Sequence, residues 1–336
     1  MPSNKQIIPI MHCFNDNYVI PASVSFLSML ENANPAYFYR LYVLHTDISE
    51  QNQNILNSIV AKFKNASLEF VDMNHKFENV FDRFRVKGHY TKEVLYKLLA
   101  PSIFPQYEQI VITDVDVVFS GDIADIWGGG QGDEYIAGIS YPNSKGSWLE
   151  IFMQKTYEVE FSSDERARLL IGGGLLVMNL KKMRDDDMEA KLVEYLEANA
   201  YRLKQAEQDV LNIVLYPKIK LLPIKAMVCT YLYDIYETQA NLSDTNRAWL
   251  KEATENPIQI HYAGAQKPWN TPTCTKSDIW FAYLTKTPFF YDIMRNVAEP
   301  KLPDCKFYLF NKIEILKIKN NKARLFGCIP VLRKVK

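Results

Sequence analysis

Ile110-Val111-Ile112-Thr113-Asp114-Val115-Asp116-Val117-Val118-Phe119 is the stretch on which the fold and the chemistry both turn. Its first three residues are β-branched and uninterrupted by polar side chains, the pattern of a strand buried on both faces in a sheet covered by helices. The run then meets two aspartates. Residues two apart on an extended chain point to the same face, so both carboxylates can reach one cation. Two hard oxygen ligands suit Mg²⁺ or Mn²⁺, and an imidazole as third ligand favours Mn²⁺. Of the five histidines, His261 is the best placed, because it ends a late apolar strand and opens a loop carrying Gly264, Lys267 and Trp269. The competing reading is an acidic pair that ends a strand and is simply solvated.

The flanking sequence repeats the same logic. Ile7 to Cys13 reads as a first strand, after which Asn15, Asp16 and Asn17 turn the chain into a helix carrying Val19, Val24, Phe26, Leu27 and Leu30. Tyr37 to Thr46 and Leu68 to Asp72 read as strands, with Asp47 or Ser49 capping the helix between them. Thr91 opens a helix through Leu99 that stops near Pro101 and Pro105. Further strands are expected at Tyr135 to Ser140, Leu175 to Asn179 and Pro257 to Tyr262, and helices at Met188 to Leu196 and Asp209 to Leu215. Strands alternating with helices predict an α/β fold with a mixed, mostly parallel sheet flanked by helices, and ligands bound outside the carboxyl ends of its strands.

Composition narrows the function. With 336 residues, 48% of them hydrophobic, the chain can bury one large core. Lys+Arg 39 balance Asp+Glu 39, so no nucleic-acid partner is expected. Five cysteines, without C-x-x-C or disulfide-like spacing, point to a reducing cytoplasm. No secretory leader is read at the start, and no apolar run approaches the roughly 18 residues of a spanning helix. From Lys301 to Lys336 the composition shifts to ten Lys or Arg against two acids, Asp304 and Glu314, interleaved with apolar residues.

Six segments together resemble glycosyltransferase family eight, which includes bacterial lipopolysaccharide galactosyl- and glucosyltransferases and glycogenin. They are Asn15 to Tyr18, Tyr90-Thr91 through Leu98, Asp114 to Trp127, Gly172 to Leu180, Glu207 to Asn212, and His261 to Trp269, in the family's order and spanning about Ile7 to Asn270. The resemblance implies a GT-A, Rossmann-like fold over 1–275, with a nucleotide-binding half at about 1–130 and an acceptor half at about 131–275. A helical, basic membrane-association region would follow at 276–336. It also implies that Asp114, Asp116 and His261 hold the metal, and that Lys267 and the backbone of Gly264 contact phosphate. Asn15, Asn17, Tyr18 and Val115 would line the nucleoside, Lys97, Gly172 and Gly173 the donor, and Glu207, Gln208 and Asp114 the reacting sugar. Three positions depart from the family's usual residues. Asn15 stands for Asp and Lys97 for Arg, which loses the bidentate fork. Gly172 stands for Asn.

The activity so implied is retaining transfer of glucose or galactose from a UDP-hexose to a saccharide or lipid-linked glycan acceptor, with Mn²⁺ or Mg²⁺. Gln208 is a poor nucleophile, so a front-face reaction is expected, whereas Glu207 is the carboxylate that would permit a covalent route. A helix between Phe307 and Lys336 is expected to lie on an anionic leaflet, placing the protein at the cytoplasmic face of the membrane. The alternative is a non-catalytic nucleotide-sugar binder or membrane-associated scaffold of the same fold.

Overall fold

Seven strands make the central sheet of this computed structural model, in the order β3-β2-β1-β4-β7-β6-β8. β1 (Ile7–Cys13), β2 (Phe38–His45), β3 (Ala66–Asp72) and β4 (Ile110–Thr113) run parallel. β7 (Ile171–Met178) is antiparallel to both β4 and β6 (Ile136–Ser140), and β8 (Ile219–Leu221) returns parallel to β6. The structure describes residues 5–74, 76–83, 91–129, 132–140, 171–238, 244–298, 305–309, 313–319, 322–325 and 329–332. His75, His89 and Tyr90 lie outside them.

The parallel half follows the expected elements closely. The helix Val19–Glu31 has apolar residues on nearly every face and is almost wholly buried. Ser49 caps the helix Glu50–Val60, its hydroxyl accepting from the Asn52 N–H. The helix expected after Thr91 is a 3-10 helix, Lys92–Leu99, running into a short α-helix, Ala100–Ile103, that stops before Pro105 as expected. Pro101 instead sits in the first turn of Ala100–Ile103, where a missing N–H costs nothing.

The acidic pair departs from expectation too. Asp114 to Asp116 form a bend after β4, not a continuation of the strand, and the chain then enters β5 (Val117–Phe119) of a second sheet. There β10 (Gln259–His261) lies between β5 and β9 (Val228–Cys229). The two sheets meet at a buried polar chain. His12 Nδ1 donates to the Thr113 carbonyl (3.1 Å), Thr113 Oγ1 donates to Gln259 Oε1 (3.0 Å), and Gln259 Nε2 donates to the Gly174 carbonyl (3.3 Å).

The chain divides into compact units at Met1–Thr287 and Pro288–Lys336. The first includes the helix Ser277–Leu284, whose Trp280 is fully buried. The second contains the helix Phe290–Ala298 and then an antiparallel sheet of β11 (Cys305–Leu309), β12 (Ile313–Lys319), β13 (Lys322–Leu325) and β14 (Ile329–Leu332). The helix expected from Phe307 onward is therefore replaced by strands. The physical reason is visible in Lys306-Phe307 and in Leu316-Lys317-Ile318-Lys319, where polar and apolar residues alternate with period two and Ile is frequent. Register sets Lys306 opposite Lys317, and Lys317 opposite Arg324.

Candidate active site

Pairing of β10 with β5 brings the site together. His261 lies opposite Val117, and the Tyr262 N–H donates to the Asp116 carbonyl (3.0 Å), so an imidazole distant in sequence is fixed beside the bend. Its Nε2 is 3.2 Å from Asp116 Oδ1 and 3.8 Å from Asp114 Oδ2. One ligand atom from each of the three residues falls within 4.8 Å of the others. Donors about 2.1 Å from an octahedral ion are about 3 Å from their neighbours, so the 3.2 Å pair is at that spacing, the others would close in on an ion, and the three residues could hold a divalent cation. It mixes two carboxylates with one imidazole, chemistry that suits Mn²⁺ as well as Mg²⁺.

Cations of the protein already surround the acids. Lys267 Nζ donates to Asp116 Oδ2 and to the Tyr262 carbonyl. Burial alone would raise the Asp116 pKa, but His261 and Lys267 outweigh it and hold the carboxylate far below its usual range. Burial likewise opposes a proton on His261, yet the Asp116 charge prevails and raises its pKa to about 10. On the other side of the bend, buried Lys97 donates to Asp114 Oδ1 (2.9 Å), Glu207 Oε1 (2.9 Å) and the Gly173 carbonyl (3.0 Å). Burial disfavours the Lys97 charge, and its two carboxylate partners more than restore it. Glu207 is nonetheless pushed up by burial, because it shares that one ammonium with Asp114, and its Oε2 has no hydrogen-bond partner.

Three consecutive glycines in β7 permit this crowding. A Cβ on Gly174 would lie 2.7 Å from His261 Cε1 and 2.8 Å from Nδ1, and one on Gly173 would lie 3.1 Å from Glu207 Oε1. The Gly173 N–H donates to Gln208 Oε1 (2.7 Å), while Gln208 Nε2 donates to Gln205 Oε1 (2.7 Å), so the Gln208 amide is held at both ends. Gly172 is less constrained, its nearest neighbour being Met227 Cε at 3.4 Å. Gly264 has φ +84° and open space beside it, a backbone that only glycine adopts without strain.

The nucleoside residues sit along the strand ends. Asn15 caps the turn Asp16–Tyr18 by accepting from the Asn17 N–H (3.2 Å), and Asn17 itself is exposed. The Tyr18 ring meets Trp269 edge-on at 6.0 Å, and Trp269 in turn leans on Trp280 at 5.7 Å. Val115 is buried within the bend. A cleft of about 440 Å³ opens beside Asn15, lined also by Thr46, Asp47, Asn74, Thr91, Lys92 and Glu93. It lies outside the carboxyl ends of β1, β2 and β3, where open α/β sheets hold ligands.

Residues 9–273 match the glycosyl transferase family 8. The chain belongs to that family. It is 23% identical over 287 residues to General stress protein A of Bacillus subtilis (strain 168), covering 84% of this chain and 94% of that one. It is 20% identical over 261 residues to a lipopolysaccharide 1,2-glucosyltransferase of Escherichia coli, covering 76% and 71%. Among solved structures, the LgtC active-site mutant Q189E superposes with a TM-score of 0.67 at 18% identity, covering 84% of this chain and 96% of that one. The bifunctional glycosyltransferase WbbM superposes with a TM-score of 0.70 at 24% identity over 88% of this chain, which spans about half, 52%, of that protein. The fold is GT-A, and the protein is a glycosyltransferase.

Sequence reasoning overlooked four contributors. Gly174 makes room for His261, Gln259 ties the two sheets together, Cys229 places its sulfur 3.8 Å from His261 Nδ1, and Glu93 lines the cleft. Gly174 carried a signal, as the third member of a glycine run entering an apolar strand. The other three carried none.

Proposed function

We propose that this glycosyltransferase transfers glucose or galactose from a UDP-hexose to a saccharide or lipid-linked glycan acceptor, with a divalent metal and with retention of configuration. The observation that carries this reading is the convergence of Asp114, Asp116 and His261 next to Lys267. Mn²⁺ or Mg²⁺ held by those three residues supplies Lewis-acid charge to the diphosphate leaving group. Lys267 adds a second positive charge at that point, and Gly264 lets the backbone approach a phosphate oxygen. Lys97, Glu207, Gln208 and Gly173 form the wall on the other side of Asp114, where the sugar would sit.

Retention without a covalent intermediate is the version the side chains favour. Gln208 Oε1 is committed to the Gly173 N–H, and Glu207 is paired with Lys97 while burial favours its neutral form. An amide oxygen and a carboxyl held toward its neutral form are both weak nucleophiles for the anomeric carbon. A phosphate oxygen of the departing UDP is then the base for the incoming hydroxyl.

A panel of UDP-hexoses assayed for UDP release, with Mn²⁺ and with chelator, tests the reading. Metal-dependent release from UDP-glucose or UDP-galactose is expected, and Asp116→Ala should reduce it by about 100-fold or more. Normal turnover by that variant would remove the metal from the account.

The basic tail is read as facing anionic headgroups at the inner face of the cell membrane. No helix among the described residues is long and apolar enough to cross a membrane. What supports surface attachment is the composition of Lys301 to Lys336, ten Lys or Arg against two acids.

A further inference from the structure

His261 meets the acidic pair with one ring nitrogen and turns the other away from it. Nε2 is 3.2 Å from Asp116 Oδ1, while Nδ1 lies 3.8 Å from the sulfur of Cys229. This neighbourhood is built into the backbone, because β9 runs parallel to β10 and the register sets Cys229 opposite His261. Cys229 is only 4% exposed. The Tyr231 hydroxyl, two residues further along, bonds to the same sulfur. β7 presses on the Cε1–Nδ1 edge of the ring, where even a Cβ on Gly174 would collide.

An imidazole can fill nearly the same space in two ways. A half-turn about the bond joining the ring to Cβ exchanges Nδ1 with Cδ2 and Nε2 with Cε1, so each nitrogen trades places with a carbon. In the turned orientation a C–H would face Asp114 and Asp116, and no lone pair would be left there for a cation. Close packing by β7 discriminates poorly, since the two orientations have almost the same outline. A polar atom at one edge does discriminate. Metal-bound imidazoles as a rule donate their second ring N–H to a carboxylate, a backbone carbonyl or water. Here the group in that place is a sulfur, a weak acceptor that still favours an N–H over a C–H.

We propose that Cys229 is a positioning residue of the metal site: its sulfur takes the Nδ1–H of His261 and so keeps Nε2 turned toward Asp114 and Asp116. The inference rests on the reading of those three residues as metal ligands and adds the group that orients one of them. Cys229 acts only through the ring, and Tyr231 is a second anchor for its sulfur.

Mn²⁺ titration of the full chain, followed by electron paramagnetic resonance, tests this in wild type, His261→Ala, Cys229→Ala, Cys229→Val and Cys229→Ser. Thermal unfolding of each metal-free protein is measured alongside. Cys229→Ala and Cys229→Val should bind Mn²⁺ about 10- to 100-fold more weakly, the usual cost of losing a partner of this kind. Valine, close to cysteine in size, covers the case in which the alanine cavity prevents folding. Cys229→Ser keeps an acceptor for the Nδ1–H and should recover most of the affinity, even though a buried hydroxyl lowers the unfolding midpoint. A packing role alone gives the reverse order, with metal affinity following the unfolding midpoint and serine doing no better than alanine or valine. That order would overturn the assignment. If Mn²⁺ affinity is lost in His261→Ala yet kept in Cys229→Ala and Cys229→Val, the role of Cys229 falls and the metal reading stands. If wild type takes up no Mn²⁺, both fall.

Discussion

Gly174 illustrates how a missing side chain can be a functional choice. His261 must reach the bend at Asp114 to Asp116 from another sheet, and the space it crosses is the space a Cβ on Gly174 would fill. Real Cβ atoms do not come within 2.7 Å of a ring carbon, so Gly174→Ala must displace the imidazole or the strand. The expected result is a loss of Mn²⁺ affinity of about 10- to 100-fold, the scale of damage to a ligand's support, read by titration or by electron paramagnetic resonance. Gly172→Ala is the matched control, because its Cβ meets nothing closer than 3.4 Å. Equal metal affinity in both variants would mean that the ring has room that the structure does not show. Lys97 makes the complementary point about charge. One buried ammonium serves Asp114, Glu207 and a backbone carbonyl, so removing it would strand two acids at once.

At the scale of elements, β1 and β4 are locked by His12. Its Nδ1–H donates to the Thr113 carbonyl, and its Nε2 is buried with no partner. Burial therefore lowers its pKa to about 3, even though the carbonyl contact favours the proton. An unfolded histidine takes up a proton near 6.5, so between about pH 6.5 and pH 3 the unfolded state binds more protons than the folded one. Stability from this residue is full above that window and declines as pH falls through it, by at most about 1.4 kcal/mol per pH unit. Urea unfolding of wild type and His12→Asn at pH 7, 6, 5 and 4 should show a slope shallower by up to one proton in the variant. Identical slopes would show that His12 is not held neutral. Thr113 at the end of β4 bonds to Gln259 of β10, so the pair of sheets and the metal cluster share one set of buried hydrogen bonds. Helix formation matters here less than strand order, because His261 reaches the acids only when β10 pairs with β5.

For the whole molecule, the division at Thr287 separates a catalytic unit from a basic one. If the tail meets anionic lipid, then Lys306→Glu, Lys317→Glu and Arg324→Glu combined in the full chain should abolish salt-sensitive cosedimentation with phosphatidylglycerol vesicles. Each lysine near such a surface contributes about 1 kcal/mol, so three reversals cost at least about 100-fold in partitioning. UDP release measured without vesicles should be unchanged, and equal vesicle binding by the variant would dismiss the membrane role. The amino-acid sequence by itself determined the order of elements from Ile7 to Met178, since buried parallel strands and capped amphipathic helices write their period into local composition. It also marked Asp114, Asp116 and His261, because their residue types and flanking runs limit what they can do. In the tail, the period-two alternation agrees with the strands that the structure has in place of the expected helix. Only the tertiary structure decided that the acidic pair lies in a bend shared by two sheets, that Lys97 spans Asp114 and Glu207, and that one Glu93 oxygen is buried without a hydrogen-bond partner. Those facts depend on contacts between residues far apart in the chain, and no local pattern of hydrophobicity or charge encodes which distant side chain will arrive to satisfy a buried polar atom.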